Sequence, residues 1–289
     1  MYGQVGFSIA ELAIWMDARG SDINFAVPKS HKKFEIKRPP KGGLYLLVRD
    51  GTLQKNDTWN PLYVSSETWE LWQNPLRQFV FILPDIAPPK RHIIVDPEFN
   101  TGEVIGQFLE ESNTDPVPYP LQNIEIKLFI NWLAGFGELI LHAVGVMING
   151  RGYCFAGSSG SGKSTFASAL VDIPGIEILG EDNIVLRYKD NQFWIYGTPW
   201  HLNPNMCSAS FAPLAKFYFL DRAIDPGVAN CDPLQGITRI LQTAFITYYR
   251  PETLPGILDR LNLLSNKVPF GLAHYQLGSD PGTFFQESR

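Results

Sequence analysis

A run of glycine and serine in the middle of the chain has the spacing of a phosphate-binding loop. Residues 157–164, Gly-Ser-Ser-Gly-Ser-Gly-Lys-Ser, satisfy the pattern G-x-x-x-x-G-K-[ST] at every fixed position. Glycines let successive backbone N–H groups point toward one anion, and a helix that begins at the end of the loop adds its positive end. The pattern therefore predicts a nucleoside triphosphate site.

The residues of this loop have distinct expected roles. Lys163 supplies a mobile cation for the β- and γ-phosphates, and the hydroxyl of Ser164 is placed to bind Mg²⁺. An apolar strand precedes the loop and a helical pattern follows it, which is the context that the motif requires. We expect the nucleotide to be held by Gly157, Ser158, Ser159, Gly160, Ser161, Gly162, Lys163, Ser164 and Thr165.

Two common classes of phosphate-loop protein are disfavoured by what the sequence lacks. Transporter ATPases carry a Leu-Ser-Gly-Gly-Gln-like signature and an apolar strand that ends in Asp-Glu, and neither occurs downstream of the loop. A GTPase carries an Asn-Lys-x-Asp motif that reads guanine, and this motif is also absent from the sequence. A kinase-like protein or a solitary NTPase remains.

A pair of acidic residues follows the loop at a distance that suits phosphoryl transfer. Glu181 and Asp182 come just after a predicted strand, and ligands gather at the carboxyl ends of such strands. In a β-α-β unit, this length of chain returns beside the strand that carries the loop, so we expect the pair to face the phosphates. Such a carboxylate either holds magnesium or accepts the proton of an attacking hydroxyl. Asp221 is a rival, although Arg222 beside it offers a surface ion pair instead.

The position of His142 follows from the register of a predicted hairpin. Asn149-Gly150 between two apolar runs is a strong hairpin signal. A two-residue turn there places His142 opposite Gly157, whereas a four-residue turn places it opposite Ser159. Either register puts the imidazole level with the loop, where we expect it to give electrostatic or proton-relay support.

The surrounding sequence predicts the elements that position these residues. Residues 1–120 form a strand-rich N-terminal region of unassigned role, with candidate strands at 44–48, 78–83 and 92–95. Residues 121–289 form the phosphate-loop domain. Its predicted helices are 126–133, 165–171, 234–248 and 254–264. Its predicted strands are 143–148, 153–156, 176–179, 184–188, 192–196, 216–220 and 274–277. Strands and helices that alternate around a phosphate loop indicate an α/β core.

Composition excludes several kinds of protein. Hydrophobic residues make up 45% of the chain and charged residues 18%, which excludes overall disorder. A net charge of −5 gives no basic field for nucleic acid or an anionic membrane. We see neither a membrane-spanning apolar run nor a secretory signal, so we expect a cytoplasmic protein without a nucleic-acid or membrane partner. The widely spaced cysteines are expected to be buried free thiols: Cys154, Cys207 and Cys231.

Three segments together resemble the C-terminal domain of HPr kinase/phosphorylase, a serine-kinase family whose fold is related to phosphoenolpyruvate carboxykinase. They are residues 141–143 (Leu-His-Ala), the loop at 157–164, and residues 180–185 (Gly-Glu-Asp-Asn-Ile-Val). The resemblance covers residues 138–200 well and the remainder to 289 in outline. It implies an α/β fold with a P-loop kinase core of the HPr kinase/phosphoenolpyruvate carboxykinase type, preceded here by the strand-rich N-terminal region.

The resemblance also implies roles for individual residues. His142 and Lys163 match active-site groups of the family, and Ser164 matches a magnesium ligand. Asp182 matches the second residue of the family's Asp-Asp pair, which is the general base toward a substrate hydroxyl; we also count Asp182 as a candidate magnesium ligand. Glu181 stands where the family has its first Asp, so we include it among the candidate catalytic residues.

The expected activity is an ATP- and Mg²⁺-dependent kinase that phosphorylates a hydroxyl, with serine on a protein or peptide as the acceptor. Residues 197–201, Gly-Thr-Pro-Trp-His, are similar to a segment of divergent HPr-kinase-like proteins that accompany ribosomal-peptide biosynthesis, so a ribosomal peptide precursor is one acceptor to consider. A non-catalytic ATP-binding sensor or scaffold and a simple ATPase are the alternatives. A small-molecule kinase or a carboxykinase-like activity is a weaker option, and a homo-oligomer is left open.

Overall fold

The computed structural model describes residues 3–18, 24–65, 68–83, 91–108, 116–201, 203, 205–222, 225–276 and 278–288. The chain divides into two units, residues 1–132 and residues 133–289. The division lies within a helix, whereas the sequence suggested a boundary after residue 120. The described chain is a mixed α/β structure rich in strands, which agrees with the predicted class at that level.

The first unit is built on an eight-stranded sheet in the order β1-β2-β4-β9-β8-β7-β6-β5, and the short strands β3 and β10 pair separately. The strands are β1 (Gln4–Ile9), β2 (Leu12–Asp17), β3 (Phe25–Ala26), β4 (Leu44–Asp50), β5 (Asn60–Val64), β6 (Glu70–Gln73), β7 (Phe79–Ile82), β8 (Arg91–Val95), β9 (Thr101–Gly106) and β10 (Val117–Pro118). A 3-10 turn (His31–Phe34) and helix α1 (Glu125–Ala134) complete the described elements of this region. The predicted strands at 44–48, 78–83 and 92–95 are confirmed as β4, β7 and β8.

The second unit contains the predicted phosphate loop. Its strands are β11 (Leu139–Ile148), β12 (Arg151–Ala156), β13 (Ile176–Gly180), β14 (Asn183–Lys189), β15 (Gln192–Tyr196), β16 (Phe211–Arg222), β17 (Gly227–Asn230) and β18 (Phe270–Tyr275). Its helices are α2 (Lys163–Leu170), α3 (Pro233–Thr243) and α4 (Leu254–Lys267), with 3-10 segments at Pro251–Thr253 and Pro281–Ser288. The predicted strand at 274–277 overlaps only the end of β18, and residue 277 lies outside the described residues.

Two long strands of this unit each take part in two sheet segments. The first four residues of β11 pair with β14, the remaining six pair with β12, and the last four of those six also pair with β13 on the other side. The 12-residue strand β16 pairs with β15 near its start and with β12 and β18 further on. The segment that carries the loop therefore has the order β13-β11-β12-β16-β18-β17.

Helices cover both faces of that segment. Alternate residues of β12 point to opposite faces, so Cys154 and Ala156 belong to one hydrophobic cluster and Tyr153 and Phe155 to the other. The first cluster contains residues of α3 and α4, and the second contains residues of α2. Burial of these apolar side chains on both faces is the main stabilising contribution to the layered arrangement.

One expectation about the sheet is wrong. The strand that leads to Glu181 was expected beside the strand that carries the loop, but β13 pairs with β11 instead. A two-residue turn folds β11 back onto β12, so β11 occupies the position next to the loop strand. Because β13 and β12 are both antiparallel to β11, they run in the same direction and end at the same edge of the sheet.

The three cysteines are buried free thiols, as predicted. Among the described residues, the structure contains no helix with the length and apolar character needed to cross a membrane.

Candidate active site

The glycine-rich loop connects the buried strand β12 to the start of α2. Gly160 and Gly162 have φ values of 80° and 98°, a left-handed conformation that glycine adopts without the steric cost of a Cβ atom. Gly162 is the residue at the N-terminal cap of α2, and no side chain caps the helix there. The backbone N–H groups of the first turn are thus left for a ligand, as an anion site at a helix N-terminus requires.

Lys163 is the first residue of α2, and its side chain folds back over the loop. Its Nζ donates hydrogen bonds to the backbone carbonyls of Gly157 at 2.7 Å and Ser158 at 3.0 Å. The residue is 6% exposed. Burial lowers the pKa of Lys163, and the charge of Asp182 opposes that shift. The ammonium group is therefore held at the start of the loop.

Ser161 is a second buried polar group in the loop. It is 8% exposed, and its Oγ has no hydrogen-bond partner among the described residues. A buried hydroxyl without a partner costs free energy unless a ligand or water satisfies it. The hydroxyl is therefore suited to an anion in the loop. Five other loop residues are exposed: Ser158, Ser159, Gly160, Ser164 and Thr165.

Asp182 and His142 form an ion-pair contact beside the loop, although 40 residues separate them in the sequence. Nδ1 of His142 lies 2.7 Å from Oδ1 of Asp182 and 3.1 Å from its backbone carbonyl oxygen. Both neighbours are acceptors, so Nδ1 carries a proton and donates it to them. Both side chains are 37% exposed, which leaves them open to a ligand.

Asn183 fixes the other oxygen of the same carboxylate. Its Nδ2 donates to Oδ2 of Asp182 at 2.8 Å and to the backbone carbonyl of Trp200 at 2.7 Å. The hydrogen bond from His142 is the largest cause that lowers the pKa of Asp182, against a burial effect that raises it. The charges of His142 and His201 and the hydrogen bond from Asn183 lower the pKa further. Asp182 is thus ionised at neutral pH.

The register of β11 explains how His142 reaches this position. Ile148 pairs with Arg151 and Ala143 with Ala156, so the turn between them is the two-residue Asn149-Gly150 turn. Continuing this register by one residue places His142 opposite Gly157, which is the first of the two predicted alternatives. On its other side, His142 pairs directly with Asn183 of β14. Strand β11 therefore brings the imidazole between the loop and the acidic segment.

The predicted residues are thus brought together only in part. Asp182 and Lys163 are close enough for the carboxylate charge to affect the ammonium group. The carboxylate of Glu181 has a different partner: it accepts a hydrogen bond from the backbone N–H of Asn203. Burial raises the pKa of Glu181, and the charge of Asp182 adds to that rise.

Asp221 and Arg222 at the end of β16 point to opposite faces of the sheet. Oδ2 of Asp221 accepts a hydrogen bond from Nη1 of Arg239 at 2.9 Å, so its partner is on α3 rather than the neighbouring Arg222. Arg222 lies against the loop, since a Cβ atom on Gly162 would sit 3.5 Å from its Nε. From the sequence, Arg222 was expected only in a surface ion pair with Asp221. The alternation of side chains along β16 is the signal that places it near the loop.

Residues of the segment at 197–201 contact Asn183, which follows the acidic pair in the sequence. Nε2 of His201 lies 3.3 Å from Oγ1 of Thr198, and this hydroxyl donates to the backbone carbonyl of Asn183 at 2.7 Å. Trp200 contributes its backbone carbonyl to Asn183, as described above. The sequence left open whether Trp200 and His201 contact substrate or pack. The described contacts link both residues to the Asp182 segment.

The described residues contain no cluster of three or more His, Cys, Asp or Glu side chains that could hold a metal ion. Magnesium bound with a nucleotide commonly takes one or two protein oxygens, with phosphates and water completing its shell. The Ser164 hydroxyl and the Asp182 carboxylate are oxygen donors of the required type.

Comparisons with known proteins gave distant structural likenesses alone. No protein-family model and no curated protein matches the sequence. Among solved structures, the chain is similar to the Hpr(Ser) kinase/phosphatase from Coxiella burnetii, with a TM-score of 0.27 and 18% identity over 49% of this chain and 83% of that chain. A likeness of this size carries no conclusion about activity.

Proposed function

We propose that this protein is an ATP- and Mg²⁺-dependent kinase that transfers the γ-phosphoryl group to a serine hydroxyl of a protein or peptide. The observation that carries the proposal is the ionised Asp182, held by His142 at 2.7 Å, in electrostatic contact with Lys163 of the glycine-rich loop. A phosphate cradle and a proton acceptor are the two parts that phosphoryl transfer to a hydroxyl requires.

The loop suits a triphosphate in both shape and charge. Gly160 and Gly162 have left-handed backbones, and the buried hydroxyl of Ser161 lacks a partner among the described residues. Lys163 and Arg222 bring positive charge to the start of the loop and to the start of α2. Electrostatic stabilisation by such groups is the largest part of catalysis in phosphoryl transfer.

In the proposed step, the acceptor oxygen forms a bond to the γ-phosphorus while the bond from that phosphorus to the bridging oxygen breaks. The bonding electrons leave with ADP, and the hydroxyl proton passes to the carboxylate of Asp182. The carboxylate of Asp182 is ionised at neutral pH, and it can take the proton because the attacking oxygen becomes acidic as it bonds to phosphorus. His142 and Asn183 orient the carboxylate through its two oxygens.

Ser164 and Asp182 are the residues proposed to hold Mg²⁺, which supplies neutralising charge on the phosphates. Ser164 is in the first turn of α2, and Asp182 follows the end of β13, at the same edge of the sheet as the end of β12. Glu181 stays a candidate catalytic residue in the proposal, and its carboxylate accepts a hydrogen bond from the backbone N–H of Asn203.

The test is incubation of the purified protein with γ-³²P-ATP, Mg²⁺ and a cell extract. We expect a labelled protein or peptide whose label is stable in acid conditions and is recovered as phosphoserine. The Lys163→Ala variant serves as the matched control, and we expect it to label no acceptor because it lacks the cation of the cradle.

Two other results would replace the proposal with a different function. Release of phosphate without any labelled acceptor would make the protein an ATPase. Binding of ATP with neither release nor transfer would make it a nucleotide sensor or scaffold.

A further inference from the structure

A cavity of about 600 Å³ lies beside the glycine-rich loop, on the face of the sheet that α3 covers. Gly157 and Ser158 form its boundary with the loop, and Phe219 and Asp221 of β16 form part of its wall. Helix α3 supplies the remaining wall, mainly through polar side chains. This volume is in the range of pockets that enclose small ligands or a few residues of a peptide.

The cavity adjoins the end of the loop where the terminal phosphate is expected. In a phosphate loop, the lysine reaches the β- and γ-phosphates, while the amides around the helix start hold the phosphates nearer the nucleoside. Nζ of Lys163 is hydrogen-bonded to Gly157 and Ser158, the two loop residues that line the cavity. Ser164 and Thr165 of the first helical turn do not line it. The cavity is thus on the γ-phosphate side.

Helix α3 turns one face to the cavity and another to the core. Leu234, Thr238 and Gln242 recur at four-residue spacing and line the cavity. Ile240, by contrast, is fully buried in the hydrophobic cluster. Thr238 and Gln242 are exposed, so this wall is open to a ligand from solvent. Hydroxyl and amide side chains at this spacing can hydrogen-bond the backbone of an extended peptide.

The charges around the cavity favour some ligands over others. Asp221 and Arg239 pair with each other at 2.9 Å and largely cancel. Asp232 also lines the cavity and adds a negative charge, although its Oδ1 accepts a hydrogen bond from the backbone N–H of Gln235. A bound triphosphate beside the cavity would add more negative charge. An acidic ligand is therefore repelled, and a neutral or basic ligand is accepted.

We propose that this cavity is the acceptor site, and that it binds a serine-bearing peptide segment whose residues next to the serine are neutral or basic. The inference rests on the proposed kinase function. It adds the location of the acceptor and the charge of the sequence around the phosphorylated serine.

The test uses two degenerate peptide libraries with a central serine, flanked by lysine in one library and by glutamate in the other. Labelling from γ-³²P-ATP is measured together with the dissociation constant for ATP. For the wild-type protein, we expect at least about tenfold more label in the lysine library, which corresponds to roughly 1.4 kcal/mol.

Three variants locate the site. Thr238→Trp fills the cavity from an exposed position on α3, and we expect it to lower labelling of the lysine library about tenfold or more without changing ATP affinity. Asn262→Trp, at an exposed position of α4 outside the cavity lining, is the matched control and should change neither quantity. Gln242→Lys keeps the cavity open and should shift the preference toward the glutamate library.

Each contrary result has a separate meaning. If Thr238→Trp weakens ATP binding while Asn262→Trp does not, the cavity holds the nucleoside and the inference is wrong, although the kinase proposal stands. If both Thr238→Trp and Gln242→Lys leave labelling unchanged, the acceptor binds elsewhere. If the wild-type protein binds ATP but labels neither library, the proposed peptide kinase function is wrong. The inferred acceptor site is then wrong as well.

Discussion

Asp182 is held by three groups, two from β11 and one from the residue that follows it in the sequence. His142 donates to one carboxylate oxygen from β11, and Asn183 donates to the other from the next position in the sequence. The backbone carbonyl of Asp182 also accepts the backbone N–H of Ala143 at 3.0 Å. These contacts fix the orientation of the carboxylate and keep it charged. A carboxylate oriented before substrate arrives is what proton transfer at this position needs.

The lowered pKa of Asp182 gives a prediction about pH. Because the hydrogen bond from His142 is the largest cause, we expect His142→Phe to raise the pKa of Asp182 more than His201→Phe, which removes only a charge effect. A ¹³C NMR titration of the aspartate carboxyl groups in each variant measures these values. Equal pKa values of Asp182 in the wild-type protein and in His142→Phe would contradict the assigned cause.

The same shift predicts the direction of a stability change. The folded-state pKa of Asp182 lies below the value of roughly 3.9 for an unfolded aspartate. The contact therefore stabilises the fold above that pH, and its contribution is lost as the pH falls through the folded-state pKa. The free energy of unfolding should differ between wild type and His142→Phe at neutral pH, and the difference should shrink in acid.

The sequence was informative about residues whose chemistry depends on local spacing. The loop at 157–164 and the acidic residues after β13 could be found because their patterns are short and continuous. Arg222 could not be assigned to the loop, since its approach to Gly162 depends on the pairing of β16 with β12. Asn183 was likewise missed, because its role arises from its contact with Trp200 across a turn.

At the scale of elements, the β11–β12 hairpin determines how far His142 lies from the loop. Asn149 and Gly150 have φ values of 51° and 74°, the left-handed pair that a two-residue type I′ turn needs. A turn of another length would shift the register, and a shift of one residue would move His142 to the other face of the sheet. The turn is thus part of what positions the imidazole.

We expect Gly150→Ala to destabilise the protein by about 1 kcal/mol, because a Cβ atom disfavours the left-handed conformation. No heavy atom lies within 4 Å of the added methyl position, so steric contact adds nothing. Gly227→Ala is the matched control: its methyl position is equally open and its φ lies outside the left-handed region. Chemical denaturation of both variants measures the difference. Equal free energies of unfolding for the two variants would show that the left-handed conformation at Gly150 does not contribute to stability.

Sequence patterns predicted elements well where turn residues were distinctive and poorly where they were not. The β11–β12 hairpin could be predicted from Asn149-Gly150. The β1–β2 hairpin was missed because its turn residues, Ala10 and Glu11, take φ values of 50° and 61° although such residues rarely do so. The neighbour of β13 was also mispredicted, since strand order depends on contacts between distant segments.

At the scale of the whole molecule, every predicted site residue lies in the second unit, residues 133–289. The chain as a whole is acidic, with a net charge of −5. The loop differs from the chain as a whole, because two positively charged side chains, Lys163 and Arg222, lie against it. An anionic nucleotide is therefore expected to bind at this loop through local charge rather than through the overall field of the protein.

The most direct measurement is a comparison of ATP affinity and phosphoryl transfer in Asp182→Asn and Lys163→Ala. For Asp182→Asn, we expect ATP affinity within about twofold of wild type and transfer to the labelled acceptor reduced roughly 10²- to 10⁴-fold. For Lys163→Ala, we expect weaker ATP binding itself. Calorimetry and single-turnover transfer of γ-³²P measure the two quantities. Full transfer activity in Asp182→Asn would contradict the central claim that this carboxylate and the loop act on the same phosphorus.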